Sequence, residues 1–201
     1  MSVAAKKTHK LNSYFDPTTK LWTIKILPGE CYVCEPAEMV VTTLGSCVSA
    51  CIRDRVLGIG GMNHFMLAES EQGEWAGDIA STRFGNFAME YLINEILKRG
   101  GRRENLEAKI FGGASMNTGG EKVGSANIDF AMAYLKTEKI KILAEDVGGE
   151  DARKVYFKPD NGTVQVKRLR LLANDTIQKR EKELAVQINS NTQDEGDVEL
   201  F

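Results

Sequence analysis

Histidine is nearly missing from this sequence. Two of 201 residues are histidine, and one of them, His9, sits in the basic stretch Lys6-Lys7-Thr8-His9-Lys10. Any imidazole chemistry therefore falls to His64. Cysteine is sparse too: four residues in a chain this long exclude a disulfide scaffold and fit thiols kept reduced in the cytosol. Long apolar runs are missing as well. The longest uncharged one, Met39 to Ile52, is too short for a spanning helix and is broken by Thr, Gly and Ser. No apolar segment follows the lysines of residues 1–10, so no signal peptide is expected. Charge of one sign is also absent, with 26 basic residues against 28 acidic, which leaves no global argument for nucleic acid or a membrane surface. The expectation is a soluble cytoplasmic protein that neither binds nucleic acid nor inserts into a membrane. Nucleotide motifs fail in the same way. No Gly-Lys-Ser/Thr closes Gly112-Gly113-Ala114-Ser115, and Gly58-Ile59-Gly60-Gly61 lacks the dinucleotide spacing. No cofactor is implied.

What is present centres on two stretches, Leu44-Gly45-Ser46-Cys47 and Gly60-Gly61-Met62-Asn63-His64-Phe65-Met66-Leu67. Between them, apolar residues flank the cluster Arg53-Asp54-Arg55. A hairpin turn centred between Arg55 and Val56 predicts that Ile52 pairs with Ile59, Ala50 with Gly61, and Cys47 with His64. Directly opposed Cβ atoms lie about 5 Å apart, near thiol–imidazole reach. A one-residue slip would put the two on opposite faces. Gly60 and Gly61, inside a strand, predict close approach of another backbone or of a substrate.

The chemistry favours such a pair. A free thiol titrates at about 8.5 and is mostly protonated at neutral pH. A neighbouring imidazole raises the thiolate fraction and can later protonate a leaving amine. Backbone N–H groups at the Gly45-Ser46-Cys47 turn can hold an oxyanion, because glycine permits the turn. On residues alone, a plainer alternative stays open: Cys47 as a small buried hydrophobe and His64 as a core histidine.

Along the chain, residues 1–13 read as a mobile leader, 14–172 as one domain, and 173–201 as a charged tail with a helical piece and a disordered acidic end. Strands are predicted at Leu21–Leu27, Cys31–Cys34, Met39–Thr43, Leu106–Phe111 and Ile140–Ala144, with a hairpin around Pro159-Asp160-Asn161-Gly162. A loop is expected over Ala68–Ile79. Helical spacing of Phe84, Phe87, Ala88, Tyr91, Leu92, Ile96 and Leu97 predicts a helix with these residues in the core, capped by Ser81 or Thr82 and ended by Gly100. Asn127 is expected to cap a second helix running to Leu135. Strands outnumber helices without alternating with them, so the fold class is α+β.

A metal site is the main rival chemistry. Cys31-x-x-Cys34 and Cys47-x-x-x-Cys51 supply four thiols, and the first pair is a familiar zinc half-site. Against it, all four fall in strand-like apolar runs, and zinc on Cys47 would quench a nucleophile. No metal is expected.

In this layout the chain resembles the chemoreceptor glutamine deamidase family, CheD. The resemblance is carried by Leu44-Gly45-Ser46-Cys47-Val48, Gly60 to Leu67, Arg83-Phe84-Gly85-Asn86 with Ala88-Met89-Glu90, Lys109 to Ala114, Asp146-Val147-Gly148-Gly149 and Arg153-Lys154-Val155. It implies a mixed β-sandwich-like core flanked by helices, similar to the catalytic domain of the cytotoxic necrotizing factor toxins. It implies Cys47 as nucleophile, His64 as base and acid, and an upstream threonine, Thr42 with Thr43 as the alternative, orienting the imidazole. The implied reaction is hydrolysis of glutamine side chains on the cytoplasmic helices of chemoreceptors. A CheC-type phosphatase is a further implied partner. From another class, a non-catalytic adaptor that only docks on receptors or on a CheC-type phosphatase remains the alternative.

Overall fold

β-Branched and aromatic residues are most concentrated in Leu21–Lys25, Cys31–Val33 and Glu38–Leu44, and these stretches become strands. The structure, a computed structural model, describes residues 12–67, 79–115, 120–169 and 175–193. In chain order its elements are β1 (Asn12–Asp16), β2 (Leu21–Lys25), β3 (Cys31–Val33), β4 (Glu38–Leu44), β5 (Val48–Asp54), β6 (Gly60–Asn63), α1 (Ile79–Lys98), β7 (Leu106–Gly112), α2 (Gly120–Thr137), β8 (Lys141–Val147), β9 (Ala152–Lys158), β10 (Thr163–Leu169) and α3 (Asp175–Gln193). They form two five-stranded sheets, β1-β2-β4-β9-β10 and β3-β6-β5-β7-β8. Each sheet is mixed, with one parallel pair, β2 with β4 and β7 with β8. The class is α+β.

The alternation of side chains along β5 divides two cores. Cys47, Cys51 and their neighbours Met62 and Phe111 meet Val40, Leu44, Val155 and Phe157 of the first sheet. Val48, Ala50 and Ile52 face outward onto Met89, Leu92, Ile93 and Ile96 of α1, with Ala131 and Leu135 of α2 beside them. Leu92 and Ile96 are fully buried, and truncating either to alanine is expected to cost about 2–5 kcal/mol.

The chain leaves the first sheet at the end of β4 and enters the second at β5, so Gly45-Ser46-Cys47 is the corner between sheets. The β5–β6 hairpin forms, but in a different register from the sequence expectation. Ile52 pairs with Gly61 and Cys51 with Met62, and a bridge joins Val48 to Phe65. The turn is wider than a two-residue one. Asp54 accepts hydrogen bonds from the N–H groups of Val56 and Leu57 at 2.8 and 2.9 Å, and Gly58 takes φ +70°. The shift is two residues, so parity survives. Cys47 and His64 keep a common face as diagonal neighbours rather than as an opposed pair. Gly61 is required by backbone: a Cβ there would lie 2.1 Å from the carbonyl oxygen of Tyr32 on β3.

Four further expectations are corrected. The leader ends earlier than residue 13, because β1 begins at Asn12 and pairs with β2. α1 starts at Ile79, so Ser81 and Thr82 lie inside it. Its buried stripe is Met89, Leu92, Ile93 and Ile96, while Phe87 and Tyr91 stack on each other at 5.8 Å and are exposed. At 100° per residue those two aromatics sit on the far side of the helix from Met89. α2 starts at Gly120, so Asn127 is interior and not a cap. The loop residues 68–78, residues 1–11 and the acidic end 194–201 lie outside the described residues.

Candidate active site

Three strand ends converge beside the corner between sheets. Thr42 lies on β4, Cys47 just before β5, and His64 just after β6. The backbone of His64 is pinned to the turn after β2: its N–H donates to Glu30 O at 2.9 Å, and Gly29 N–H donates to His64 O at 2.8 Å. Thr42 is buried, and its hydroxyl donates to Ile26 O at 2.9 Å. The same oxygen lies 2.8 Å from His64 Nδ1. A hydroxyl has one proton to give. With that proton on Ile26 O, Nδ1–H donates to Thr42 and Nε2 carries the free lone pair. Nε2 is buried and has no hydrogen-bond partner among the described residues. Successive strand residues face opposite ways, so Thr42 and Thr43 cannot both address the ring; Thr42 is the one that reaches it.

The corner itself has every carbonyl tied from behind. Ala114 N–H donates to Gly45 O at 2.7 Å and Gly113 N–H to Cys47 O at 2.8 Å. The Asn127 side chain donates to Ser46 O at 2.9 Å while accepting from Leu67 N–H at 2.8 Å. Buried Arg153 in turn holds Gly112 O and Gly148 O at 2.6 and 2.5 Å. With the carbonyls turned back, the three N–H groups turn forward into one spot, an anion-binding nest.

A carboxylate fills that spot. Glu181 of α3 accepts from Gly45 N–H at 2.9 Å, Ser46 N–H at 3.0 Å, Ser46 Oγ at 2.7 Å and Cys47 N–H at 3.2 Å. A Cβ at Gly45 would stand 2.9 Å from a Glu181 oxygen, so any larger residue there would displace the carboxylate. The Cys47 sulfur, a ring nitrogen of His64 and a Glu181 oxygen lie within 4.8 Å of one another. Burial pushes the Cys47 thiol well above its ordinary value, and the Glu181 charge and hydrogen bond push the same way. Burial lowers the His64 imidazole to about 4, partly opposed by Glu181. Both partners are therefore neutral at pH 7, with the acidic proton on sulfur and a lone pair on nitrogen.

The zinc rival is not assembled. Cys31 packs with the helix-side core, whereas Cys34, Cys47 and Cys51 belong to the core between sheets. Cys47, His64 and Glu181 are the one trio of potential ligands among the described residues. Their meeting point faces three N–H donors, which suits negative charge and repels a cation.

The family model described as CheD chemotactic sensory transduction matches residues 66–168. The probable chemoreceptor glutamine deamidase CheD of Janthinobacterium sp. (strain Marseille) is 49% identical over 203 residues, covering 100% of both chains. Its counterpart in Halorhodospira halophila is 48% identical over 195 residues, covering 95% of this chain and 90% of the relative. That of Herminiimonas arsenicoxydans is 48% identical over 203 residues. The chain belongs to the CheD family. The family-model match begins beyond Thr42, Cys47 and His64, so the full-length CheD relatives are what extend the likeness across the site.

The residue pattern brought Gly45, Ser46, Cys47 and His64 to one place, and the family resemblance added Thr42. Both missed three residues of this CheD site. Asn127 was legible only as a helix cap, although its position inside a helix that also carries Gly124 hinted at close packing. Arg153, the largest fully buried side chain, stood in the block Arg153-Lys154-Val155 that carried the resemblance, with nothing to mark it as a buried guanidinium. Glu181 gave no signal, being one acid in a heavily charged stretch 136 residues from its first partner.

Proposed function

We propose that the protein is a chemoreceptor glutamine deamidase, hydrolysing glutamine side chains on receptor cytoplasmic helices to glutamate with Cys47, His64 and Thr42 as its reacting and orienting groups. His64 Nε2 takes the thiol proton. The sulfur attacks the carboxamide carbon, and N–H groups of the Gly45–Cys47 corner hold the oxyanion. The imidazolium returns its proton to nitrogen as the C–N bond breaks, releasing ammonia and leaving a thioester. Water, deprotonated by His64, attacks the thioester; the C–S bond breaks, and glutamate and the thiol are restored. Thr42 acts through His64 as a positioning residue, fixing the tautomer that leaves Nε2 basic.

The observation that carries this reading is the convergence, on one point, of three backbone donors, a sulfur and an imidazole whose free nitrogen is set by Thr42. An anion seat beside a nucleophile and a base is the equipment acyl transfer needs. The names of the CheD relatives supply the substrate class. Among the described residues no helix is long and apolar enough to cross a membrane, and a cytoplasmic location matches receptor helices that lie on that side. We carry over from the resemblance a CheC-type phosphatase as a second partner and a scaffold like that of the cytotoxic necrotizing factor toxins; co-purification and superposition test each.

Mass spectrometry of receptor peptides incubated with wild type and Cys47→Ala tests the reaction. The expected result is a gain of about one dalton at glutamine with wild type alone, as amide-to-acid hydrolysis by a thiol nucleophile requires. The adaptor alternative predicts no mass change, and receptor signalling in cells unaffected by Cys47→Ala.

A further inference from the structure

α3 breaks an ordinary rule of amphipathic helices. Its inward stripe, at spacings of three and four, is Ile177, Glu181, Leu184, Ala185 and Ile188. Leu184 and Ala185 pack against the core between the sheets, and Ile188 is buried. Glu181 sits in the middle of this stripe, 7% exposed, where a carboxylate is costly unless its oxygens are bound. Among the described residues no lysine or arginine forms an ion pair with it. What satisfies Glu181 is the nest at the cysteine. The cleft left beside it, bounded by Lys25, Pro28, Thr43 and Ile177, is about 20 Å³, room for little more than a water. A glutamine side chain cannot enter while α3 stays.

A glutamate side chain is also what the proposed reaction produces. One Glu181 oxygen lies against Gly45 N–H and Cys47 N–H, where the carbonyl oxygen of a reacting amide belongs. The other lies against Ser46 N–H and Oγ, donors that suit the second oxygen of a product carboxylate. Building on the deamidase reading, we propose that α3 is a tethered product mimic: Glu181 takes the seat of the product carboxylate, α3 takes the place of the receptor helix, and a receptor helix must displace it to be modified. The site thus reads a glutamine on the apolar face of a helix laid across the corner between sheets. An occupant on the same chain competes at an effective concentration of the order of millimolar, so the enzyme rests until a helix binds better.

The experiment turns the plug into a substrate. In full-length Glu181→Gln, the introduced carboxamide lies where Cys47 can attack, and water completes the hydrolysis with loss of ammonia. The purified variant is expected to carry glutamate at position 181, about one dalton above the encoded mass, whereas Cys47→Ala/Glu181→Gln keeps glutamine. Leu184→Asp, which unseats the helix without touching Glu181, is expected to lower KM for a receptor peptide about tenfold with kcat little changed. Glutamine retained at position 181, or an unmoved KM in Leu184→Asp, in an enzyme that still deamidates receptor peptides overturns the mimic and leaves the deamidase reading standing. No deamidation of either target overturns both.

Discussion

The corner at Gly45–Cys47 and the helix α3 meet at a single carboxylate, yet they are held in opposite ways. The corner is fixed from behind: three carbonyls are bound by Ala114, Asn127 and Gly113, and these are backed by Arg153. Removing any one partner would leave a buried polar group unpaired, at a cost of about 1–3 kcal/mol. α3 is held by half-buried Ile177, Leu184 and Ala185, by buried Ile188 and by Glu181. Desolvating the Glu181 carboxylate costs several kcal/mol, and the four hydrogen bonds it accepts at the corner offset that cost. A rigid seat with a marginal occupant is the arrangement a displaceable mimic needs. The difference teaches that a well-made hydrogen-bond set need not mark a permanent contact.

The largest expected effect falls on the rigid side. Cys47→Ala should lower deamidation of receptor peptides by at least about a thousandfold with the circular dichroism spectrum unchanged. Thr42→Val should come next. It removes the acceptor that fixes His64, so kcat should fall about a hundredfold with KM little moved, and Thr42→Ser should restore most of it. On the α3 side, Glu181→Ala should speed iodoacetamide labelling of Cys47 about tenfold at pH 8, read by mass, because thiolate is the reactive form. The sign follows from the causes. Burial and Glu181 both raise the thiol, so wild-type labelling climbs only above the usual thiol range, and losing Glu181 moves that climb to lower pH. An equally slow rate in the variant would place α3 on the same rigid footing as the corner.

The smallest effect concerns the turn that carries His64. Burial alone would raise the Asp54 carboxyl, but hydrogen bonds from Leu57, Arg102 and Val56 outweigh it and leave it below its usual range. A lowered carboxylate contributes stability above its unfolded value of about 3.9, and that contribution is lost as pH falls through the folded value. Asp54→Asn should therefore cost about 2 kcal/mol at pH 7 in urea unfolding. The difference from wild type should shrink as pH falls below about 4.

The part of the site legible in the sequence is the part made by neighbours along the chain. Cys47 ends a β-branched run at a glycine turn and His64 follows within one hairpin, whereas Thr42 was named only by the family resemblance. Even there, the turn around Asp54 held two more residues than the pattern suggested. The face survived the error because the strand period is two. α1 was misread for a related reason: its aromatics drew attention, while Met89 and Ile93 set the buried arc. Glu181 stayed hidden because nothing local distinguishes it. Its neighbours Arg180, Lys182 and Glu183 are charged and exposed, and its meaning comes from donors at the other end of the chain.

The most direct test of the central claim is to catch the sulfur in the act. A receptor peptide mixed with enzyme and acid-quenched within milliseconds should leave a fraction of protein heavier by the peptide minus ammonia, with the added mass mapping to Cys47. Turnover of glutamine with no such adduct, and with Cys47→Ala still active, would contradict it.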